Sequence, residues 1–431
     1  MQRKKSFEII GTDWKIKLLE WTKKYPLACY LDSNRYYDGN PNKTYECLVG
    51  VSRNPYTNIN PFDPGFKLLN EASYWTFGFF TYDLKNEFEK LSSNNIDEIS
   101  MPSYHFFIPE YVFEIIENEV TIHFNDRIME DNINQIFEDI NNIEIRKKLP
   151  NTQVPVIKQR ITKEQYVDII NKIKKHIAVG DIYEMNYCME FYIDDFQCKP
   201  TSLFARLKTV SPMPFSCFYR VKDKYLLCAS PERFMMKKGQ KVISQPIKGT
   251  IKRDLMDLEN DERLKQQLYN DSKERSENVM IVDLVRNDLS RTAKKGSVKV
   301  EEMFGIYTFR QVHQMISTVT SEVDGDITFK ELIRTTFPMG SMTGAPKIRA
   351  MQLIEEYELT KRGLYSGSVG YITADNDFDF NVVIRSIIYD SSKKFWSFMV
   401  GSSITFDSIP DKEYEECLLK AKAIMQVLTE K

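Results

Sequence analysis

The helical stretches of this 431-residue chain fall at uneven intervals, and that spacing constrains the fold more than any other feature. Helical periodicity reads at 162–179, 254–269, 271–289, 328–336, 346–357 and 411–429. Between these lie short β-rich runs at 182–192, 215–220, 225–229, 368–373, 380–389 and 395–400. Repeated βα units would need a helix after nearly every strand, so a barrel is not expected, and the pattern is α+β or α/β. Thr162-Lys-Glu-Gln165 and Asp271-Ser-Lys-Glu274 read as capping boxes that open two of the helices. Residues 1–125 alternate apolar runs with turn clusters: Leu27–Leu31, an aromatic strand pair over Tyr74–Tyr82, and Val112–Phe124. They read as a mainly antiparallel sheet. The Asn- and Asp-rich stretch 126–155 reads as a helix and a linker, dividing the chain into regions 1–150 and 155–431.

Charge and cysteine usage narrow the function classes. A net charge of −2 gives no footprint for nucleic acid or a membrane surface. No apolar run approaches the ~18 residues that would span a bilayer. Seven Cys without CxxC pairs and four His without ligand spacing argue against zinc and for a reducing, cytoplasmic setting.

Four groups of residues could carry chemistry. Ser244-Gln-Pro-Ile-Lys248-Gly-Thr250 reads as a strand end turning into a loop, with Lys248 between a rigid Pro and a permissive Gly. On its own Lys248 is a solvated loop lysine; held in a pocket it could be a neutral nucleophile. Glu274 and Glu277 share one helix face, and Glu413 and Glu416 share another. A lone pair of this kind is ordinarily solvated, here by Lys273, Arg275 and Lys412, but two facing pairs with oxygen ligands only would suit Mg²⁺. Asp283–Asp288 reads as a buried ion-pair network within an apolar helix. Gly340-Ser-Met-Thr-Gly-Ala-Pro-Lys347 could cradle an anion before a helix, although it lacks the P-loop spacing.

Taken in order, these segments resemble the chorismate-utilising enzymes. The matching motifs are Gly180-Asp-Ile-Tyr183, Ser230-Pro-Glu-Arg-Phe234, Pro246-Ile-Lys-Gly-Thr250, Lys273-Glu-x-x-Glu-Asn278, Gly340–Lys347, Tyr365-Ser-Gly-Ser-Val-Gly-Tyr371, Ile384-Arg385 and Glu413-Tyr-Glu-Glu416. They cover about 155–425 densely, with a looser match at Trp75–Glu89. The resemblance implies a large two-sheet antiparallel sandwich with flanking helices. It implies that Glu274, Glu277, Glu413 and Glu416 bind Mg²⁺, and that Arg385, Tyr365, the Gly401 backbone and Lys420 grip the carboxylates of chorismate. Gly249 and Thr250 would line the pocket, and Glu232 would protonate the departing 4-hydroxyl. Lys248 marks the subclass: anthranilate and isochorismate synthases have Ala there, whereas aminodeoxychorismate synthases have a covalent Lys.

The implied reaction is amination of chorismate at C4, towards 4-aminobenzoate and folate. No segment resembles a glutamine amidotransferase, so ammonia is expected from solution or from a separate glutaminase subunit. Four positions depart from the family pattern. Gln314 stands for the usual His, with His313 beside it; Met339 stands for Gly, Ser403 for the second Gly of Gly-x-Gly, and Glu184 for a common Gln. Isochorismate synthases place a water-activating Lys at the Glu184 position.

Overall fold

Every pairing between the strands described is antiparallel, and the strands form two sheets, one of 12 strands and one of nine. The structure, a computed structural model, describes residues 2–36, 45–63, 75–126, 128–145 and 154–429. The larger sheet joins strands from the N-terminal region to strands from the C-terminal one: Leu27–Asp32 pairs with Phe215–Val221. The smaller sheet does the same, with Thr76–Phe80 beside Ser368–Ile372.

The sheets pack face to face. Phe79 of the smaller sheet meets Tyr219 of the larger at 5.0 Å between ring centroids, and the Tyr219 hydroxyl hydrogen-bonds His105 Nδ1 at 2.8 Å. Leu27–Asp32 explains why such strands read as unbroken apolar runs. Leu27, Cys29 and Leu31 enter the layer between the sheets, while Ala28 and Tyr30 enter a second core beneath the outer helices. A strand covered on both faces has no polar face to alternate with. Helices Lys163–Ala178 and Pro410–Thr429 bury Tyr166, Ile170, Ile173, Cys417 and Ile424 in that second core. Helix Ser272–Ser290 packs instead on strands Ile247–Lys252 and Val312–Glu322 of the smaller sheet.

This is the expected α+β two-sheet sandwich, with local differences. The capping box at Thr162 is complete, with Gln165 returning to the Thr162 amide. At Asp271 only half forms: Asp271 accepts from the Glu274 amide, but the Glu274 carboxylate is directed elsewhere. The charged helix starts at Leu258, four residues later than its charge pattern suggests, because Asp257 caps the amides of Glu259 and Asn260. One strand, Thr76–Phe80, replaces the expected pair over Tyr74–Tyr82; Tyr74 lies outside the described residues. The helix in 126–155 is Glu130–Asn141, and most of the linker lies outside them as well. The run at 380–389 is two strands, Phe378–Asn381 and Ser386–Asp390, in different sheets. Among the described residues no helix is long and apolar enough to cross a membrane.

Candidate active site

Two of the steps by which the chain passes from one sheet to the other lie side by side. Residues 231–232 link Lys224–Ser230 of the larger sheet to Arg233–Lys238 of the smaller. Residues 382–385 make the reverse step. Backbone bonds tie them: the Val382 amide donates to the Glu232 carbonyl at 3.0 Å, and the Ala229 amide to the Arg385 carbonyl at 3.1 Å. Arg385 takes φ +50, an uncommon conformation for a residue with a Cβ and one that concentrates at functional sites.

Glu232 is buried, and burial pushes its carboxyl up to about 7. The Ser341 hydroxyl, which donates to Oε1 at 2.7 Å, opposes that rise, as do the charges of Lys248 and Arg385 and the Ile247 amide. Burial draws the Arg385 guanidinium below its ordinary value, against the pull of Glu232 and Tyr365. Among the described residues its side chain makes no hydrogen bond or ion pair, which leaves its donors open to an anion.

Lys248 lies in a strand, not the expected loop. Strand Ile247–Lys252 pairs with Val312–Glu322, and the register slips between Ile247↔Ile316 and Thr250↔Gln314. Two residues, Lys248 and Gly249, therefore oppose Met315 alone, which is a β-bulge with Gly249 at φ +95. A Cβ on Gly249 would lie 3.2 Å from Glu274 Oε2, 3.2 Å from Leu268 Cδ1 and 3.3 Å from Met315 Cβ. The bulge thus aims Lys248 while its glycine admits the Glu274 carboxylate.

Lys248 Nζ donates to Glu184 Oε1 of the larger sheet at 2.8 Å and lies 3.8 Å from Glu277 Oε2. The expected neutral amine is not what this environment favours. Burial lowers the lysine's pKa, but Glu184, Glu277 and Glu274 outweigh it and hold Lys248 above its ordinary value as an ammonium. Three carboxylates around one cation reverse the desolvation effect.

The four other acids share one electrostatic neighbourhood. Lys273 stands among them: burial lowers its pKa, and Glu277, Glu413, Glu274 and Glu416 together raise it. Glu277 is pushed up to about 7 by burial, with Glu184 and Glu274 adding and Lys248 opposing. Glu416 is held below its ordinary value because Lys420, 2.7 Å away, and Lys273 outweigh its burial. Lys420 Nζ also donates to the Gly401 carbonyl at 2.8 Å. Gly401 admits no side chain, since a Cβ would meet Cys188 Sγ at 2.5 Å and Asn186 Oδ1 at 2.7 Å. The pairs are gathered from two helices on two sheets. Among the described residues, no three His, Cys, Asp or Glu side chains converge closely enough to hold an ion.

The remaining residues sort clearly. Tyr365 is buried, in the same core as Phe79 and Tyr219. Thr250 is exposed and accepts from Gln314 Nε2 at 3.3 Å, while Gln314 Oε1 and Ser403 Oγ are buried without a partner among the described residues. His313 does not replace the histidine missing at 314: it bonds Asp261 at 3.0 Å and Thr308 at 3.0 Å, away from the Gln314 side chain. In the Gly340–Lys347 segment, read from sequence as a possible anion cradle, two of the amides are already engaged. The Met342 and Thr343 amides fold back onto Met339 and Gly340, and the Thr343 and Ala345 carbonyls accept from Asn186 and Tyr183. Its contribution is to carry Ser341 to Glu232. Asp283–Asp288 is split between a solvated Asp283–Arg286 pair at 2.7 Å and a buried Asp288 held by Lys347. Sequence reasoning missed Ser341 and the Glu184–Lys248 contact.

Residues 36–426 match the family model described as chorismate binding enzyme. Aminodeoxychorismate synthase component 1 of Bacillus subtilis is 31% identical over 364 residues, which span 81% of this chain and 76% of that protein. Anthranilate synthase component 1 of Aquifex aeolicus is 32% identical over 368 residues, 81% of this chain and 73% of the relative. Among solved structures, anthranilate synthase component I from Streptococcus pneumoniae superposes with a TM-score of 0.75 at 23% identity, covering 98% of this chain and 92% of the other. The isochorismate synthase MenF of Escherichia coli superposes at 0.76 and 18%, covering 100% and 95%. These two establish the shared fold.

Proposed function

The chain belongs to the chorismate-binding enzyme family, and we propose that within it the chain is the synthase subunit of a 4-amino-4-deoxychorismate synthase. The observation that carries this reading is Lys248, a buried amine on a bulge within reach of the acids of both sheets. Relatives of similar identity are named for the anthranilate reaction, so overall similarity does not choose between the two. Lys248 speaks against the anthranilate reading, because a nucleophilic side chain here would compete with ammonia for ring C2.

In this reading Arg385, with open donors, binds a substrate carboxylate, and Tyr365 and the Gly401 backbone complete the pocket. Glu232, protonated near neutral pH, donates its proton to the departing 4-hydroxyl, so that water leaves in place of hydroxide. The Lys248 amine forms a bond to C2 as the C4–O bond breaks, giving an adduct equal to chorismate minus one water. Ammonia then bonds to C4 and the lysine–C2 bond breaks, so one difficult displacement becomes two easier ones. Glu274, Glu277, Glu413 and Glu416 offer oxygen ligands only, the donor set that suits Mg²⁺. When bound, the ion would neutralise the substrate's ring carboxylate and share the charge of acids that otherwise hold Lys248 protonated.

The test is turnover of chorismate with Mg²⁺ and ammonium, with products resolved by mass. Aminodeoxychorismate is expected, and anthranilate as the sole product would overturn the reading. With glutamine in place of ammonium, product is expected only when a separate amidotransferase is added.

A further inference from the structure

Behind the site stands one buried arginine with every donor in use. The Arg362 guanidinium lies over the buried Tyr82 ring, 4.7 Å from its centroid. Nε and Nη2 fork onto the Glu358 carboxylate at 2.9 and 2.6 Å. Nη2 also donates to the Asn186 carbonyl at 2.9 Å, and Nη1 to the Met342 carbonyl at 2.5 Å and the Ser366 hydroxyl at 3.4 Å. A guanidinium has five N–H groups, and these bonds engage all of them. An ammonium could answer Glu358 as a point charge. Only the planar fork reaches that carboxylate and two carbonyls of separate segments at once.

Those two carbonyls lead to the same turn. Met342 ends the turn Gly340–Met342, and its neighbour Ser341 is the residue whose hydroxyl meets Glu232 Oε1 at 2.7 Å. Asn186 holds the turn as well: its Nδ2 donates to the Ser341 carbonyl at 3.2 Å and its amide to the Thr343 carbonyl at 2.8 Å. Three consecutive carbonyls, of residues 341, 342 and 343, are therefore held by Asn186 and Arg362, and Arg362 also holds Asn186. The Ser341 side chain is left with one direction to point, towards the acid.

We propose that Arg362 is a positioning residue for the acid of the reaction, fixing the 341–343 turn so that the Ser341 hydroxyl is presented to Glu232. The inference rests on the reading that Glu232 protonates the departing hydroxyl. A hydroxyl that donates to the carboxylate form keeps a buried acid from holding its proton too tightly, which matches it to work near neutral pH. The charged groups that face the Glu232 carboxyl are Lys248 and Arg385. Replacing Arg362 by Lys leaves both in place and keeps the charge at 362, so its effect on the acid is one of position.

The kcat–pH profile would be measured with saturating chorismate, Mg²⁺ and ammonium for wild type, Ser341→Ala, Arg362→Lys and the double variant. Ser341→Ala should move the fall in kcat upward by about one pH unit, the loss of one hydrogen bond to a charged group. Arg362→Lys should move it in the same direction, with KM for chorismate changed by less than about threefold. In the double variant the two shifts should not add, because both act through one hydroxyl. Additive shifts, or an Arg362→Lys profile that superimposes on wild type, would overturn the proposal and leave Arg362 as a brace for helix Lys347–Tyr357. Should Arg362→Lys fail to fold, the pair Glu358→Gln and Arg362→Gln removes both buried charges together and strands neither, and the same profile is read on it. Failure of that chain to fold would also overturn the proposal. A wild-type kcat that does not fall above neutral pH would instead sink the reading of Glu232 as the acid, a result distinguishable from the others.

Discussion

At the scale of single residues, the site turns on two groups whose charge states oppose their ordinary ones or their expected ones. Lys248 is held as an ammonium by Glu184, Glu277 and Glu274, so nucleophilic work requires those charges to be engaged by substrate and cation first. Chorismate with Mg²⁺ and no ammonia is therefore expected to leave an adduct on Lys248 of the substrate's mass minus one water, read by intact-mass spectrometry. Lys248→Ala should abolish it, and Lys248→Arg should not restore it, because a guanidinium stays protonated. An adduct that survives in Lys248→Ala would rule this lysine out. Glu232 carries the second prediction. Its carboxyl is raised from 4.5 to about 7, chiefly by burial, so it is an acid at neutral pH and a base above it. As a proton donor it should give a kcat that is level below pH 7 and falls about tenfold per unit above. The stability sign follows from the same shift. The unfolded chain loses this proton near 4.5 and the folded one near 7, so stability present at low pH is lost as pH rises through that window. Glu232→Gln removes the burden, and at pH 8 the variant should be inactive yet more stable by up to about 3 kcal/mol. A variant less stable than wild type at pH 8 would contradict the burial argument.

At the scale of elements, the bulge at Lys248–Gly249 decides where the amine points, and no pattern in the sequence announces it. Pro246 and Gly249 read as the bounds of a loop because both commonly end strands; here Gly249 allows a strand to continue through a two-for-one mismatch. Gly249→Ala should cost stability twice, about 1–2 kcal/mol for a Cβ at positive φ and more for its approach to Glu274, Leu268 and Met315. It should also lower kcat by redirecting Lys248. Gly239, at φ +58 with nothing within 4 Å of a Cβ, is the control: Gly239→Ala should bear only the backbone cost and keep full activity. Equal activity losses at both positions would separate the bulge from catalysis. Helices were far more legible than this strand. The Thr162 cap, the amphipathic faces and both Glu-x-x-Glu pairs are set by neighbours within four residues. Contacts that required partners distant in the chain were not legible: Ser341 with Glu232, Glu184 with Lys248, and Asp261 with His313, which removes that histidine from the pocket.

At the scale of the whole molecule, the site exists only because the two sheets are held in one register. Glu184, Gly401 and the Glu413 helix belong to the larger sheet, and Lys248 and the Glu274 helix to the smaller. Sequence reading supplied these parts, but the adjacency of two crossovers distant in the chain is a property of topology and could not be read from either segment. A cation bound by all four acids would bridge a helix of each sheet, against like charges that Lys273 and Lys420 now offset. Mg²⁺ together with chorismate should therefore raise the melting temperature, as any ligand confined to the folded state must. Glu277→Gln and Glu416→Gln each remove one oxygen charge from a different helix. Both should shift the Mg²⁺ midpoint for turnover upward by about 10- to 100-fold and shrink the ligand-induced rise in melting temperature. Unliganded Glu277→Gln should melt no lower than wild type, because burial and neighbouring acids oppose that charge, whereas Glu416→Gln loses its pairing with Lys420 and should melt lower. A shift in only one variant would confine the ion to that helix pair, and wild-type Mg²⁺ curves in both would remove the metal from these acids altogether.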